Sequence, residues 1–385
     1  MMASNAKNLA ELLNTDSTVA AVDVADGSIT TAKLAADAVT TAKIAGDAIT
    51  NAKIADDSIQ VENFAGTVPF GHRNLLINGD FQEWQRGTSG TVNSYTCDRW
   101  YGWGNQQNLT QQQAENATHN SGRFALRVAH NDSTSNTFSS IAQTLETKDA
   151  AQCRGKKVTF SIDVKKGSAF TGNLTLQIVT RTDAEGSINT GTRQVLVTED
   201  ITSSLTTSLQ RFTCTTSTVC AQNILVIGVN VNHTGTSGTD ANNFFQVERA
   251  QLEIGEHATP FETTDAITNI ARCYRYYYDS KKANGDDASY YYAPLHRYDS
   301  HVKGVTWEFA TAQHPVKMRT PPTITLIDGN NNTGKISHWT TGGGNQTHNH
   351  NAYTTQSKEM NVTISDYNTS NIYGFYANYR ADSEI

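Results

Sequence analysis

The chain has 385 residues, of which only 17% are charged, and its formal net charge is −7. An acidic chain of this kind is not expected to bind nucleic acid, and no run of about 18 apolar residues is present that could insert into a membrane. Polarity that comes from Thr, Ser, Asn and Gly instead of charge is typical of β-rich extracellular or virion proteins more than of cytosolic enzymes, and the length allows two or three domains.

The first segment, residues 1–24, predicts a short amphipathic helix in NAKNLAELLN. Leu9, Leu12 and Leu13 fall on one face of such a helix. A helix with one apolar face can dock on a partner protein, which is our prediction for this segment. A helix of this length can equally close the end of the segment that follows it, residues 25–70.

Residues 25–70 contain a repeat with a period of ten, and large apolar side chains recur in it at every fifth position: Ile29, Leu34, Val39, Ile44, Ile49, Ile54, Ile59 and Phe64. On a straight helix a spacing of five turns the apolar stripe by about 140° each time, and on a strand an odd spacing alternates between faces. The unit therefore predicts a broken element, a turn or two of helix interrupted by Asp, Gly and Ala.

Such a unit cannot bury its own aliphatic side chains, whereas several chains wound about one axis can bury them together. The repeat therefore predicts a slender oligomeric shaft over residues 25–70, and three chains is our preferred number. The alternative is a disordered Ala/Thr linker. Linkers of that kind are poor in large aliphatic residues, which disfavours this interpretation.

Residues 71–262 change character and contain short alternating runs separated by Gly, Asn, Ser and Thr. Eight such runs stand out: RFALRVAH, SIAQTLE, KVTFSIDVK, LTLQIVT, RQVLVTE, LQRFTCT, NILVIGVNV and NFFQVERAQLEIG. Strands of six to nine residues without a long helix are typical of an antiparallel β-sandwich or jelly roll.

Residues 263–385 open with a predicted helix in TTDAITNIARCYRYYYD, for which Thr264 or Asp265 is the expected N-cap. Five strands are predicted after it: GVTWEFAT, TITLID, KISHWT, EMNVTIS and IYGFYANYRAD. The chain as a whole is predicted to be mainly β, an elongated homotrimeric fibre with a repeat shaft, a sandwich and a distal β domain.

Nothing in the sequence indicates catalysis. No HExxH, phosphate-binding loop, dinucleotide fingerprint or nucleophile elbow is present, and the acid pairs at 199–200 and 286–287 lie in turn-like contexts. Five scattered cysteines without a metal-ligand spacing predict buried or free thiols, made in a reducing compartment. The chain is therefore predicted not to be an enzyme.

Aromatic residues point to binding of sugars, which offer apolar C–H faces together with many hydroxyls. Trp84, Trp100 and Trp103 lie near the start of the sandwich. The first two are expected in the core, and Trp103, between two glycines, is the candidate for glycan contact. In the distal domain His338, Trp339 and Tyr353 surround a Gly/Asn/Thr-rich loop, where recognition residues are often displayed. A plain long hairpin would show the same loop.

Several stretches resemble, in order along the chain, bacteriophage tail-fibre proteins of marine and cyanobacterial phages. The decapeptides resemble their shafts, and the start of their sandwich domain is similar to RNLLINGDFQEWQRGTS (73–89) and YTCDRWYGWG (95–104). The stretches QLEIGEHATPFE (251–262) and NIARCYRYYY (269–278) resemble the junction between their domains. Two further stretches resemble their C-terminal module: HPVKMRTPPTITL (314–326) and GFYANYRADSEI (374–385). The sandwich also resembles a family of carbohydrate-binding modules.

This resemblance implies a homotrimeric virion protein, assembled in the host cytoplasm, that attaches the phage to bacterial surface polysaccharide without cleaving it. Its N-terminus would be held by a tail adaptor, nozzle or baseplate protein, and its distal domain would be the receptor-facing tip. A purely structural tail or head decoration fibre is the alternative. A polysaccharide depolymerase is disfavoured, because no β-helix repeat of about 20 residues is found.

A metal site is the last expectation. His348 and His350 are separated by one residue, so on an extended strand their side chains share a face. Three such pairs turned toward a threefold axis would give six imidazoles, which suit an octahedral transition-metal ion such as iron. The motif resembles His-x-His metal sites in the needle of some phage long tail fibres. Two solvated loop histidines are the alternative.

Overall fold

The computed structural model describes residues 29–30, 32, 34, 38–40, 43–45, 48–50, 53–54, 73–91, 93–104, 108–113, 124–130, 138–235, 240–283, 285, 293–298, 307–340, 345–348, 351–353, 357–364 and 372–384. The chain divides into two compact units, residues 1–70 and 71–385. The division of the second unit into a sandwich and a distal domain at residue 262 stays a prediction.

In the first unit, the local geometry recurs with the ten-residue period of the sequence. The backbone N–H of Lys43 donates to the carbonyl of Thr40, and ten residues later that of Lys53 donates to the carbonyl of Thr50, both over 2.9 Å. Each lysine side chain also donates back to the carbonyl five residues earlier, over 2.7 Å. The described part of the repeat is thus a series of short turns.

The aliphatic side chains of these turns are exposed. The six that the structure describes are 36% to 56% exposed: Ile29, Leu34, Val39, Ile44, Ile49 and Ile54. Ile59 and Phe64 lie outside the described residues. A single chain therefore leaves the six described side chains exposed.

The described residues form 21 strands and three short α-helices. The strands in residues 71–262 are β1 (Ser89–Thr91), β2 (Ser94–Tyr95), β3 (Tyr101–Gly104), β4 (Asn108–Gln113), β5 (Phe124–Ala129), β6 (Ser139–Leu145), β7 (Val158–Lys166), β8 (Asn173–Arg181), β9 (Arg193–Asp200), β10 (Gln210–Thr215), β11 (Val226–Thr234) and β12 (Phe244–Ile254). Helix α1 (Thr147–Ala150) and two 3₁₀ turns, Ala151–Cys153 and Thr202–Ser204, connect them.

These strands form two six-stranded antiparallel sheets, in the orders β1-β4-β5-β12-β7-β10 and β2-β3-β6-β11-β8-β9. Alternate side chains of both sheets enter one apolar core, which includes Phe160, Ile162, Leu176, Ile178 and Val229. The eight predicted strands correspond to β5 through β12. The predicted mainly β class and β-sandwich are confirmed.

The distal elements are α2 (Ala266–Tyr274), β13 (Tyr277–Asp279), α3 (Ser280–Ala283), β14 (Leu295–Tyr298), β15 (Trp307–Gln313), β16 (Thr323–Ile327), β17 (Ile336–Thr340), β18 (Asn345–His348), β19 (Asn351–Tyr353), β20 (Glu359–Ile364) and β21 (Ile372–Asp382). The long β21 is central and pairs with β13, β14, β16 and β17, while β15, β20 and β19 form a separate small sheet. The five predicted distal strands are β15, β16, β17, β20 and β21.

Helix α2 begins as predicted but ends earlier. The Asp265 side chain accepts a hydrogen bond from the Thr268 N–H, which satisfies one free donor of the first turn. The predicted helix extended to Asp279, but it stops at Tyr274. Residues Tyr277–Asp279 form β13, because pairing with β21 buries successive tyrosines on both faces of the strand.

Four of the stretches that resemble tail fibres meet in a buried junction between the sandwich and the distal strands: 73–89, 95–104, 269–278 and 374–385. The side-chain amide of Asn78 donates to the carbonyls of Glu83 and Asp98, and its backbone N–H donates to the Asn269 side chain. Arg99, buried, pairs with Glu384 near the end of the chain. The motif residues named here therefore have a structural role.

Trp84 and Trp100 lie in the core, as expected. All five cysteines are buried and free, as the sequence predicted. No helix in the described part of the chain has both the length and the apolar character needed to cross a membrane.

Candidate functional site

Strand β3 places two aromatic rings on the outer face of the second sheet. Its sequence, YGWG, alternates, so Gly102 and Gly104 face the core while Tyr101 and Trp103 point away from it, both half-buried. They lie opposite Ala142 and Ser140 of β6. A Cβ at Gly104 would stand 2.6 Å from the carbonyl oxygen of Phe138, so the glycine permits this close strand approach.

Neighbouring aromatic rings fix the orientation of the pair. The Trp103 ring meets Phe138 edge to face with centroids 5.8 Å apart, and Tyr101 meets Tyr95 in the same manner at 5.0 Å. Edge-to-face contacts of this kind favour one orientation of each ring. Trp103 and Tyr101 are thus held as a stable aromatic surface.

The connection between β8 and β9, residues 182–192, folds back over the same sheet face and is called the covering loop. Ile188 anchors it, since it is fully buried against Ala142, Val179 and Val226. Its backbone N–H also donates to the Thr144 hydroxyl over 3.2 Å.

Arg181 holds the loop from its base. Its guanidinium donates to the carbonyl of Ser187 over 2.8 Å, to the Thr190 hydroxyl over 3.2 Å and to the Asp183 carboxylate over 2.9 Å. Gly191 has φ 64° and lies so close to Arg181 that a Cβ there would meet the guanidinium at 2.3 Å. The loop conformation is therefore set before any ligand arrives.

A cleft of about 240 Å³ opens between the aromatic pair and the covering loop, lined by Tyr101, Trp103, Ser187, Asn189 and Thr190. None of these lining side chains is charged. The hydrogen bond from Arg181, followed by that from the Thr192 N–H, lowers the pKa of the nearby Asp183, so this pair neutralises itself. The cleft offers aromatic faces, hydroxyls and an amide.

A larger cleft of about 720 Å³ lies at the junction, but the structure pairs its charged side chains internally. Arg86 contacts Asp98, Asp382 and Glu384 within 3.5 Å, and Arg380 donates to Asp279. The four charged side chains that line this cleft are therefore already paired, and its other polar side chains are hydroxyls.

Two carboxyl groups of the junction have perturbed pKa values. Burial raises the pKa of Glu83 to about 7 and that of Asp98 to about 6. Such shifts can mark catalytic acids, but Asp98 is 1% exposed and its carboxylate accepts hydrogen bonds from Gln85. We attribute both shifts to packing of the junction.

The structure places Trp103 in the smaller cleft. The sequence also allows Tyr101 to be assigned to this cleft, because the alternation of YGWG puts it on the same face as Trp103. The other lining residues, Ser187, Asn189 and Thr190, could not be identified from the sequence. Their loop carries no motif, and only the tertiary fold brings it over β3.

Of the three distal residues predicted to bind glycan, the structure describes only the side chain of His338. His338 is 1% exposed, with its ring 6.2 Å from that of Phe375, a position that does not favour contact with a ligand at the surface. Trp339 and Tyr353 lie in β17 and β19, and their side chains are outside the described residues. Their role stays a prediction.

The metal site also stays a prediction. His348 ends β18, opposite Ile336 of β17, but its side chain is outside the described residues, as is the whole of His350. Elsewhere, in the part that the structure describes, no group of three or more His, Cys, Asp or Glu residues is arranged to hold a metal ion.

No family model matches this chain, and no curated protein does. Among solved structures, it is similar to the enzymatically active domain of bacteriophage CBA120 tailspike protein 4, at 11% identity over 48% of this chain and 22% of that domain, with a TM-score of 0.32.

Carbohydrate-binding modules are also among the similar structures. The CBM22-1 xylan-binding domain of Paenibacillus barcinonensis Xyn10C has 14% identity over 48% of this chain and 96% of that one, with a TM-score of 0.28. The module TmCBM61, solved with β-1,4-galactotriose, has 12% identity over 48% of this chain and 99% of that module, with a TM-score of 0.28. Values this low do not assign the chain to any of these groups.

Proposed function

We propose that this chain is a receptor-binding tail-fibre protein of a bacteriophage, which attaches the virion to bacterial surface glycans through the cleft between β3 and the covering loop. The observation that carries the glycan site is the pairing of Tyr101 and Trp103 beside uncharged hydroxyl and amide groups on a rigid sheet. The tail-fibre role is supported by the sequence stretches that resemble such proteins.

The cleft suits recognition of an uncharged sugar. An aromatic ring stacks on the apolar C–H face of a pyranose, while Ser187, Asn189 and Thr190 offer donors and acceptors for its hydroxyls. A charged sugar would find no countercharge among these lining residues. One such shallow site binds weakly, and three copies on one assembly gain avidity through their shared geometry.

The repeat supports the homotrimer. Its six described aliphatic side chains, spaced by five residues, are left exposed by a single chain, and parallel copies of the same segment would bury all of them together. In this assembly the N-terminal segment 1–24 docks on a tail adaptor, nozzle or baseplate protein. The fibre is formed in the host cytoplasm and then functions on the virion.

We infer binding without bond cleavage. Glycosidases use two carboxyl groups about 5–9.5 Å apart across the scissile bond, whereas the lining of the cleft contains no carboxyl group. A depolymerase would release reducing ends from the host polysaccharide, and we expect the purified fibre to release none.

The test is a glycan array probed with the full chain, with Trp103→Ala and with Phe244→Ala. Phe244 is the matched control, because it is a half-buried aromatic on the opposite sheet, beneath Arg127. Trp103→Ala should lose binding by at least about ten-fold, and Phe244→Ala should retain it. If the two variants bind alike, the cleft is not the glycan site. If the wild-type chain neither binds any glycan nor competes with phage for host cells, the fibre is purely structural.

A further inference from the structure

Three amide side chains lie together on the sheet face that carries the cleft. Asn230 of β11 lies directly opposite Gln177 of β8, and its amide nitrogen donates to Oδ1 of Asn189 over 3.2 Å. Asn189, in the covering loop, lines the cleft itself. These three residues, Asn189, Asn230 and Gln177, are called the amide cluster.

Each amide of the cluster is only half satisfied. The unpaired atoms, all buried and without a hydrogen-bond partner among the described residues, are Nδ2 of Asn189, Oδ1 of Asn230 and Oε1 of Gln177. The amide nitrogen of Gln177 donates to the Thr198 hydroxyl over 3.1 Å. Turning over both asparagine amides would exchange their roles but would still leave one donor and one acceptor unpaired.

A purely structural role does not explain this arrangement. A buried polar group without a partner costs about 1–3 kcal/mol of stability, and buried polar groups in folded proteins are almost always paired. Three unpaired atoms on neighbouring side chains, beside a cleft, therefore indicate groups whose partner is supplied by a ligand.

We propose that the amide cluster is the polar half of the glycan site and recognises one hydroxyl group of the bound sugar. This rests on the proposed function. A hydroxyl both donates and accepts, which matches the unpaired N–H of Asn189 together with the unpaired carbonyl of Asn230. Tyr101 and Trp103 stack on any pyranose with an apolar face, so they supply affinity with little selectivity. The amide cluster supplies the selectivity.

Recognition requires a small movement of one side chain. The unpaired atoms are closed to solvent in the free chain, so the Asn189 amide turns toward the cleft when the sugar enters. The turn breaks the hydrogen bond of 3.2 Å between Asn230 and Asn189. The sugar hydroxyl forms two hydrogen bonds instead, one accepted from the Asn189 N–H and one donated to the Asn230 carbonyl. The loop backbone stays in place, because Ile188 and Arg181 hold it independently of the Asn189 side chain.

The test titrates the full chain with neutral oligosaccharides of glucose, galactose, mannose and xylose, and compares the tightest of these ligands with its monodeoxy analogues. One analogue should bind the wild-type chain at least about ten-fold more weakly than its parent. Asn189→Ala should bind parent and analogue with the same reduced affinity. Its control is Asn173→Ala, which alters an exposed amide of β8 outside the cleft and should behave as wild type.

Thermal unfolding separates recognition from folding. Asn189→Ala removes an unpaired N–H, but it also removes the acceptor of the buried Asn230 N–H. These two effects offset each other, so the melting temperature should change little. A lowered melting temperature with unchanged discrimination would show a structural amide and overturn the proposal. If Trp103→Ala loses binding while Asn189→Ala keeps its selectivity, the glycan cleft stands and the amide cluster has no part in it. Both the glycan cleft and the amide cluster are overturned if Trp103→Ala does not reduce binding, or if the wild-type chain binds none of the four sugars.

Discussion

The aliphatic side chains of the repeat and of the sandwich are of the same types, but their surroundings are opposite. In the sandwich, Ile162, Ile178 and Val229 are fully buried, whereas in the repeat Ile29 is 56% exposed and Ile54 is 36% exposed. The sandwich residues alternate along strands, so one face of each sheet meets the other. The repeat residues recur every five positions, and those that the structure describes stay exposed in a single chain.

This difference predicts that the sandwich folds by itself and that the repeat folds only together with other copies of the chain. Burial of a large aliphatic side chain contributes about 1.5–3 kcal/mol, and the sandwich gains this within a single chain. The described turns of the repeat are held by a few backbone hydrogen bonds and two lysine side chains. The stability of the repeat should therefore depend on assembly, and that of the sandwich should not.

The largest expected effect follows from placing charge in the proposed shaft. Ile44→Asp combined with Ile54→Asp should convert the trimer to monomers, because each substitution places an unpaired charge at an interchain position at a cost of several kcal/mol. Native mass spectrometry measures the oligomeric state directly. The denaturant midpoint of the sandwich should stay unchanged in the same variant.

The matched control adds the same two charges at exposed turn positions, as Thr40→Asp with Thr50→Asp. The backbone carbonyls of both threonines accept the turn hydrogen bonds, which the substitution leaves in place. This control should remain trimeric. A trimer that survives the isoleucine substitutions with an unchanged protease pattern would show that the repeat is a linker.

The second prediction concerns a buried ion pair in the second unit of the chain, residues 71–385. Arg99 is 1% exposed, stacks on Tyr276 at 3.6 Å and pairs with Glu384, which also contacts Arg86. Glu384→Gln would leave a buried guanidinium without its anion, so we expect a loss of about 3–5 kcal/mol in the free energy of unfolding. Urea unfolding measures this loss, and it should be equal in trimer and monomer.

Glu256→Gln is the control for that loss, because its ion pair with Lys157, at 3.0 Å, lies at the surface. An exposed pair contributes less than about 1 kcal/mol. Similar losses in both glutamine variants would mean that the Arg99–Glu384 pair does not join the sandwich to the distal strands.

Most of the fold could be predicted because alternation is a local signal. The runs that became β5 through β12 alternate clearly, and Asp265 is a typical N-cap followed by an amphipathic segment. The error at Tyr277 arose because consecutive tyrosines fit either structure, and only pairing with β21 decides between them. The short strands β1, β2, β18 and β19 carry too few residues to show a period.

The site was less predictable, because it depends on contacts distant in sequence. Trp103 could be identified from its flanking glycines. His338 was chosen for its place beside a Gly-rich loop. It is buried where β17 pairs with β21, which the sequence did not indicate, and its role stays a prediction. Asn189 carries no local signal. It reaches the cleft only because Ile188 anchors its loop on a sheet whose strands are scattered along the chain.

The smallest predicted effect is a pH dependence confined to the sandwich. His130 and His233 are both 1% exposed, with ring centroids 4.0 Å apart. Burial, with the His233 ring beside it, lowers the pKa of His130 from 6.5 to about 3. Between these values the unfolded chain binds a proton that the folded chain does not, so stability falls as the pH falls, by about 2 kcal/mol between pH 7 and pH 5. Above pH 7 this contribution is constant.

The raised pKa values of Glu83 and Asp98 make the folded chain more stable as the pH falls over the same range, which opposes the effect of His130. The prediction is therefore the difference in stability between the wild-type chain and a variant at His130. His130→Gln stays neutral at every pH, and it should gain about 2 kcal/mol relative to wild type between pH 7 and pH 5. Urea unfolding at both pH values gives the difference. A constant difference would mean that the buried ring accepts its proton without penalty. Assembly should not change the result, because both rings lie inside the part of the chain that buries its own side chains.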